Sequence, residues 1–407
     1  MNSAEILTIG SELLQGSTLN SNAQFLGKQL TDLGFCVRYQ TSCRDHVNDI
    51  IDGLDTAMTR SNLTIITGGL GPTPDDVTRE AVAQCFNTDL VFHAGQYRNI
   101  KNYFKKTKHR TLPMTRREAF FPRAAKPIIN HAGIAIGFYI ETNRKMAVVL
   151  PGVPREMTHM FENEVRPLLT RRFKKALERW NAVTVSLTGL NEPQVMQRLG
   201  RRFFDKREFE FGIYPKLGWI SIKLRSKDAK MIKTLKREMA QRLGKAIYAY
   251  SDEPIESEVS QLLRRSQKTV SAAESCTGGL IAKRLTDQPG ASRYFKGGVL
   301  AYADSVKTGL LAVPTQTLHQ HGAVSRQVAV LMARHVRKLL RTDYSVAVTG
   351  IAGPAGGSLS KPVGTVWVAV DSKNGVIAKE FLIGGDRDRI RQVSAVRALR
   401  LLHDELI

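Results

Sequence analysis

Leu63-Thr64-Ile65-Ile66-Thr67 carries apolar or β-branched side chains toward both faces of an extended chain and runs into Gly68-Gly69-Leu70-Gly71-Pro72. A strand with one face in water alternates apolar and polar residues. One without that alternation is covered on both sides, as in a parallel sheet between two layers of helices. The flanking sequence fits such a sheet. Residues 6–10 form an apolar run ending in glycine, 22–33 have helical spacing, and 36–41 alternate as a strand does. Residues 47–58 carry Ile50, Ile51, Leu54 and Met58 on one helical face. A further strand over 146–150 passes through Pro151-Gly152-Val153-Pro154 into a helix ending near residue 172. The βαβ rhythm predicts a doubly wound α/β domain over residues 1–172, with ligands at the carboxyl ends of its strands.

The pattern changes over 173–250. Alternating runs at 182–187 and 219–224 bracket a short helix at 192–199, and an amphipathic helix follows at 231–243. This predicts a small α+β connector of KH-like order. It has no GXXG, the loop by which such modules clamp a nucleic-acid backbone. From 251 to 407 the α/β rhythm returns, with a helix at 259–265, strands at 298–302, 344–348 and 364–370, and helices at 326–340 and 389–402.

At 407 residues the chain exceeds one ordinary core, in keeping with several domains. No apolar run reaches the length of a membrane span, and the first residues lack the basic flank of a secretory signal. Cys36, Cys43, Cys85 and Cys276 have no zinc-type spacing, so reduced thiols in a cytoplasmic protein are expected. The net charge of +23 raises the question of a polyanionic partner. Its basic clusters (101–110, Arg116-Arg117, 171–175, Arg201-Arg202 and Arg264-Arg265) are scattered, as solvated helix faces are. A nucleic-acid groove is therefore possible but not favoured.

Two stretches carry chemistry. In Thr67-Gly68-Gly69-Leu70-Gly71-Pro72-Thr73-Pro74-Asp75-Asp76, local rules make Thr73 an N-cap, Pro74 the first helical residue and Asp76 the acid of a capping box. The glycines follow a buried parallel strand and let a phosphate approach backbone donors at Gly68, Gly69, Gly71 and Thr73. A phosphate beside Asp75 and Asp76 would need a hard divalent cation such as Mg²⁺ between them. The second stretch is Glu274-Ser275-Cys276-Thr277-Gly278-Gly279, between a strand at 268–271 and a helix at 280–285. A hydroxyl and a thiol stand there at a strand-to-helix turn, the setting of a nucleophile beside an oxyanion. The plain alternative is a turn whose helix Thr277 caps.

Gly10-Ser11-Glu12-Leu13-Leu14, Asn20-Ser21-Asn22-Ala23, the 67–80 run and Leu150-Pro151-Gly152-Val153-Pro154-Arg155-Glu156-Met157 resemble the N-terminal domain of the CinA family. That resemblance implies a molybdopterin-binding-type fold and metal-dependent hydrolysis of ADP-ribose to AMP and ribose 5-phosphate. It implies Asp75 and Asp76, with Asp45 as a weaker candidate, on the metal or phosphate side. The family's Asn-Pro-x-Gly-Thr-Ala-Pro-Gly-Phe reads here Asn130-His131-Ala132-Gly133-Ile134-Ala135-Ile136-Gly137-Phe138, so a hydroxyl and two prolines are missing.

The Ser275 stretch, with Tyr302-Ala303-Asp304-Ser305-Val306-Lys307, His321-Gly322-Ala323-Val324-Ser325, Thr349-Gly350-Ile351-Ala352-Gly353-Pro354-Ala355-Gly356-Gly357 and Lys361-Pro362-Val363-Gly364-Thr365-Val366, resembles the family's C-terminal amidase domain. The implied reaction is deamidation of nicotinamide mononucleotide in pyridine nucleotide salvage, without a cofactor, by a homodimer. The family's Tyr-Ser-Asn-x-x-Lys keeps its Tyr302 and Lys307 here but has Ala303-Asp304 in the middle. Ser275 is then the nucleophile and Lys307, when neutral, its base, with Tyr302 beside them. Asp304, if close, would favour the ammonium form of Lys307.

Thr277, Gly278 and Gly279 would supply oxyanion or substrate contacts. Thr349, Gly350, Gly353, Gly356 and Gly357 would wrap the phosphate, with Arg387 and Arg391 as its bidentate partners. Cys276 is the rival nucleophile. His319 reads as a helix-end residue and His321 as a turn residue. A nucleic-acid-binding competence or repair accessory, or a molybdopterin-binding protein, remains the alternative function.

Overall fold

The computed structural model describes residues 2–108, 110, 112–142, 145–174, 180–205 and 208–407. His109 and Lys175, each in one of the basic runs, lie outside the described residues. The chain forms two compact units, residues 1–179 and 180–407.

The first unit is built on strands β1 (Ser3–Ile9), β2 (Cys36–Cys43), β3 (Leu63–Thr67), β6 (Lys126–Ile128), β7 (Gly137–Thr142) and β8 (Lys145–Leu150). A short ribbon of β4 (Leu90–Phe92) and β5 (Phe120–Pro122) stands apart from that sheet. The sheet order is β2-β1-β3-β8-β7-β6. Strands β2, β1, β3 and β8 are parallel, while β7 and β6 are antiparallel additions at the edge.

Alternate residues of the central strands enter opposite cores. Ile6, Leu63, Ile65, Val148 and Leu150 pack on one face, and Leu7, Ile66, Ala147 and Val149 on the other. This is why β3 shows no alternation, and each fully buried aliphatic side chain contributes about 1.5–3 kcal/mol. The chain crosses to opposite sides of β1 to make β2 and β3, so the carboxyl ends of β1 and β3 frame the crevice where such sheets bind ligands.

The helix expected to begin at Pro74 begins later, at Thr78–Cys85 with Val77 as N-cap. Residues 73–76 instead close on themselves: the Asp76 carboxylate accepts hydrogen bonds from both the N–H and the hydroxyl of Thr73. Thr78 starts the helix where its hydroxyl donates to the Gly68 carbonyl, 2.9 Å away.

The second unit holds two sheets. β9 (Asn181–Thr188), β10 (Glu210–Lys216), β11 (Trp219–Ser226) and β12 (Ile247–Ala249) form an antiparallel sheet in the order β10-β11-β9-β12. Helices Glu192–Leu199 and Ala229–Leu243 share its core. The first of them starts with a complete capping box between Asn191 and Gln194.

β13 (Val270–Glu274), β14 (Phe295–Leu300), β15 (Tyr344–Gly350), β16 (Thr365–Ser372) and β17 (Gly375–Leu382) make the second sheet, in the order β14-β13-β15-β16-β17. β13 runs parallel to both neighbours, so it too marks a switch point at its carboxyl end. β16 and β17 are antiparallel. Helix Arg326–Leu340 packs on one face, and helices Ile255–Arg265, Leu280–Thr286 and Arg387–Leu406 on the other.

The last helix is buried around most of its circumference. It faces the five-stranded sheet and also meets the other sheet, where a Cβ on Gly218 would lie 2.9 Å from Val396. That double burial explains its apolar residues at nearly every register. Among the described residues no helix is long and apolar enough to cross a membrane.

Candidate active site

Ser275 follows β13 directly, its N–H donating to the Val348 carbonyl at 3.0 Å. The turn behind it depends on Gly278 and Gly279, whose φ angles of 59° and 94° lie in the left-handed region. Their backbone donors are already engaged. Gly278 N–H goes to the Ser275 carbonyl (3.1 Å) and Gly279 N–H to the Glu274 carboxylate (3.0 Å). The same carboxylate accepts from Ile281 (3.1 Å) and Ala282 (2.8 Å).

The helix after the Ser275 turn is therefore capped by buried Glu274. This corrects two expectations: Gly278 and Gly279 do not supply free N–H groups, and Thr277 is not the cap. The Thr277 hydroxyl is buried without a partner among the described residues. The backbone donors left here are Thr277 N–H, which meets no protein acceptor among the described residues, and Cys276 N–H, which meets only its own thiol. The residue after a nucleophile is the usual oxyanion donor. An acid directly before Ser275 and a few residues ahead of a helix was the available signal for Glu274.

Lys307 lies in helix Asp304–Gly309, just after β14, the parallel neighbour of β13. The Ala301 N–H donates to the Glu274 carbonyl at 2.7 Å, which joins the segment before Lys307 to the residue before Ser275. Lys307 is 1% exposed, and its Nζ donates to the Tyr302 carbonyl (3.1 Å) and to Asp304 Oδ1 (3.0 Å). Asp304 is thus close, as the sequence warned. The Ser275 hydroxyl makes no hydrogen bond among the described residues, so Ser275 and Lys307 are neighbours in topology without a direct bond. Cys276 is buried, and burial pushes its thiol up to about 12, far from thiolate chemistry at neutral pH.

The arginines divide the work differently from the expectation. Arg391 donates to the carbonyls of Cys276 (3.2 Å) and Thr277 (3.0 Å), so it braces the turn after Ser275 and is not a free phosphate clamp. Arg387 is exposed and donates to the Gly353 carbonyl (2.6 Å) and the Tyr302 hydroxyl (2.9 Å), tying the second glycine loop to Tyr302. Gly350 is required by contact, since a Cβ there would lie 2.9 Å from the Thr365 carbonyl oxygen and 2.7 Å from the Val366 side chain. The buried Thr349 hydroxyl donates to the Ala323 carbonyl at 2.8 Å. Gly353 and Gly356 adopt left-handed backbone, and Gly357 packs against Val363. Lys361, to which the sequence attached no role, donates to the His321 carbonyl at 2.6 Å and pins the far side of that loop.

In the first unit the glycine loop leaves β3 at the switch point. Gly68 N–H is bonded to the Leu150 carbonyl and Thr73 N–H to Asp76. The N–H groups of Gly69 and Gly71 have no protein acceptor among the described residues. Gly68 and Gly69 have positive φ, and a Cβ on Gly68 would strike the Ile9 carbonyl at 2.1 Å.

Beneath the loop lies Arg79, fully buried, donating to the carbonyls of Leu70 and Gly71. Near it is buried Glu118, whose carboxyl burial pushes up to about 7 against the pull of Arg79. Neither residue stood out in the sequence, because a lone charge shows no sign of being buried. A cleft of about 100 Å³ opens beside Thr8, Asn20, Asn22, Thr67 and Gly152.

Asp45, Asp75 and Asp76 do not form one ligand set. Asp45 accepts from Ser11 N–H at 2.8 Å, Asp76 is closed on Thr73, and Asp75 is exposed. Among the described residues no three His, Cys, Asp or Glu side chains gather as a metal centre would require. The side chains thus do not fit the expected cation by themselves, and no chemical step is drawn through one.

These features define an α/β chain in which a molybdopterin-binding-type unit precedes an α/β unit that carries the Ser275 turn at a switch point. Two family models match along it: a probable molybdopterin binding domain over residues 5–171 and the CinA C-terminal domain over residues 252–406. A CinA-like protein of Kosmotoga olearia is 36% identical over 99% of both chains, and one of Dictyoglomus turgidum is 37% identical over 99% of both. The solved competence/damage inducible protein CihA of Agrobacterium tumefaciens is 42% identical, covering 37% of this chain and 93% of its own, with a TM-score of 0.37. The chain belongs to the CinA family.

Proposed function

We propose that the second unit hydrolyses the carboxamide of nicotinamide mononucleotide, giving nicotinate mononucleotide and ammonia. The observation that carries this reading is the meeting of Ser275 and the Lys307 segment at the carboxyl ends of two adjacent parallel strands, joined by the Ala301–Glu274 bond. Lys307 first gives up its bond to Asp304 and one proton to solvent and, as the free amine, takes the Ser275 proton. Ser275 Oγ attacks the carboxamide carbon, and the oxyanion meets the Cys276 and Thr277 N–H groups. Collapse breaks the C–N bond, with ammonia leaving on the proton held by Lys307. Water then hydrolyses the acyl ester, releasing the acid and restoring Ser275. On this reading Tyr302 and Arg387, which are hydrogen-bonded to each other, contact the nucleotide. Ammonia release from nicotinamide mononucleotide tests this: Ser275→Ala and Lys307→Ala should each lose at least ~100-fold in kcat, and an undiminished Ser275→Ala refutes the mechanism.

A second reading concerns the first unit. The unpartnered N–H groups of Gly69 and Gly71 at a switch point, over the buried Arg79, favour binding of a phosphorylated compound. We infer that ADP-ribose binds there and is hydrolysed to AMP and ribose 5-phosphate; the family resemblance implies a divalent cation for that step, which the side chains present do not hold. Turnover unchanged by chelator removes the cation from this reading. On the same view the protein acts in the cytoplasm as a homodimer, which fractionation and light scattering test. Steeply salt-dependent DNA binding would favour an accessory role instead.

A further inference from the structure

Helix Arg387–Leu406 reaches the nucleophile turn through Arg391. Six residues on, about 9 Å along its axis, Arg397 faces a different cleft. That cleft, about 170 Å³, lies within the second unit and is lined by Thr188, Lys245, Lys379, Phe381, Arg397 and Arg400, together with Asp404.

Its electrostatics are lopsided. Arg400 is matched: it donates to Asp404 (2.9 Å) and to the carbonyls of Ala246 and Lys245. Arg397 is not. Half-buried, with the ring of Phe381 at 5.6 Å, it makes no hydrogen bond or ion pair among the described residues. Burial and the neighbouring Arg400 both push its pKa down. Lys245 and Lys379 likewise have no carboxylate partner among the described residues. Four cations therefore face one carboxylate, which is already bound to Arg400.

A guanidinium withdrawn from water beside other cations is unfavourable unless an anion completes it. A planar fork backed by an aromatic ring, with lysines on either side, suits the oxygens of a phosphoryl group. The cleft admits one or two such groups and is too small to track a nucleic-acid strand.

We propose that this cleft is an anion site for the phosphoryl group of a small ligand, separate from the Ser275 centre and independent of the amidase reading. The probes are inorganic phosphate and ribose 5-phosphate, each compared with chloride at equal ionic strength by thermal unfolding of the full chain. With about 10 mM phosphate and millimolar affinity, the wild-type melting temperature should rise by roughly 3 °C over chloride. Arg397→Gln should abolish that rise while melting no lower than wild type in chloride, because it removes an unmatched charge. Lys379→Gln, on an exposed edge strand, should cut the rise severalfold and serves if Arg397→Gln does not fold.

Arg387→Gln, at the other arginine proposed to meet phosphate, should keep the rise. A larger rise with ribose 5-phosphate than with phosphate that Arg397→Gln removes assigns a phosphorylated sugar as ligand of this cleft; equal rises assign the free anion. The proposal is overturned by equal shifts in phosphate and chloride, by an undiminished shift in both the Arg397 and Lys379 variants, or by a shift lost only in Arg387→Gln. Binding of a single-stranded oligonucleotide that Arg397→Gln abolishes, without any phosphate effect, would also overturn it.

Discussion

The sharpest test of how the Ser275 turn is held is removal of the Glu274 carboxylate. Its two oxygens accept three backbone N–H bonds of 2.8–3.1 Å at the first turn of helix Leu280–Thr286, and the side chain is 1% exposed. Hydrogen bonds to a charged group are worth about 1.5–3 kcal/mol each, and a buried donor left bare costs about 1–3 kcal/mol. Glu274→Ala leaves three such donors bare, so the turn should lose roughly 3–6 kcal/mol, allowing for water that enters the space. Glu274→Gln can keep its oxygen on the Gly279 and Ile281 donors and must turn an NH₂ toward Ala282, for a loss of about 1.5–3 kcal/mol.

Hydrogen exchange reads these donors one by one. Amide protection at 279, 281 and 282 should fall by roughly 100-fold or more in Glu274→Ala. In Glu274→Gln it should fall chiefly at 282. Because Ser275 adjoins Glu274, kcat for ammonia release should fall by at least ~10-fold in the alanine variant, with a smaller change in KM. Wild-type protection at all three amides in Glu274→Ala would refute the capping role and its consequence for Ser275.

Three further outcomes follow from particular contacts. Cys276→Ala should keep amidase activity within about threefold, and wild-type Cys276 should alkylate very slowly at neutral pH, because the buried thiol is held near 12. Asp304→Asn removes the carboxylate 3.0 Å from Lys307 Nζ and should speed ammonia release near neutral pH; a severe loss would make Asp304 part of the machinery. For Glu118 the folded-state pKa, about 7, lies above the 4.5 of the free group, so its protonated form is the one the fold favours. Its contribution is whole below pH 4.5 and lost as pH rises through 7. Glu118→Gln should therefore stabilise the first unit at pH 8 by on the order of 2–3 kcal/mol and have little effect at pH 4, as measured by urea unfolding.

Much of the fold was legible because it is written in short range. The unbroken run of apolar and β-branched residues at 63–67 meant a strand covered on both faces, and β3 has core on each side. Residues 268–285 meant strand, glycine turn and helix, and the left-handed Gly278 and Gly279 occupy that turn. Steric limits on φ and ψ and the 2.0 and 3.6 periodicities act within a few residues, so a sequence displays them directly.

What only the tertiary structure decided is which groups meet. Thr73 and Asp76 have the local grammar of a capping box, yet they close a turn. The helix waits for Thr78, which is fixed by the Gly68 carbonyl ten residues earlier. Thr277 has the local grammar of a cap, yet Glu274 is buried beside the same N–H groups and, as a charged acceptor, takes them. Arg391 looked free to bind a phosphate, and it is bound to carbonyls 114 and 115 residues away in the chain. Burial and charge pairing depend on distances between segments remote in sequence, and those distances exist only once the sheets and helices have packed.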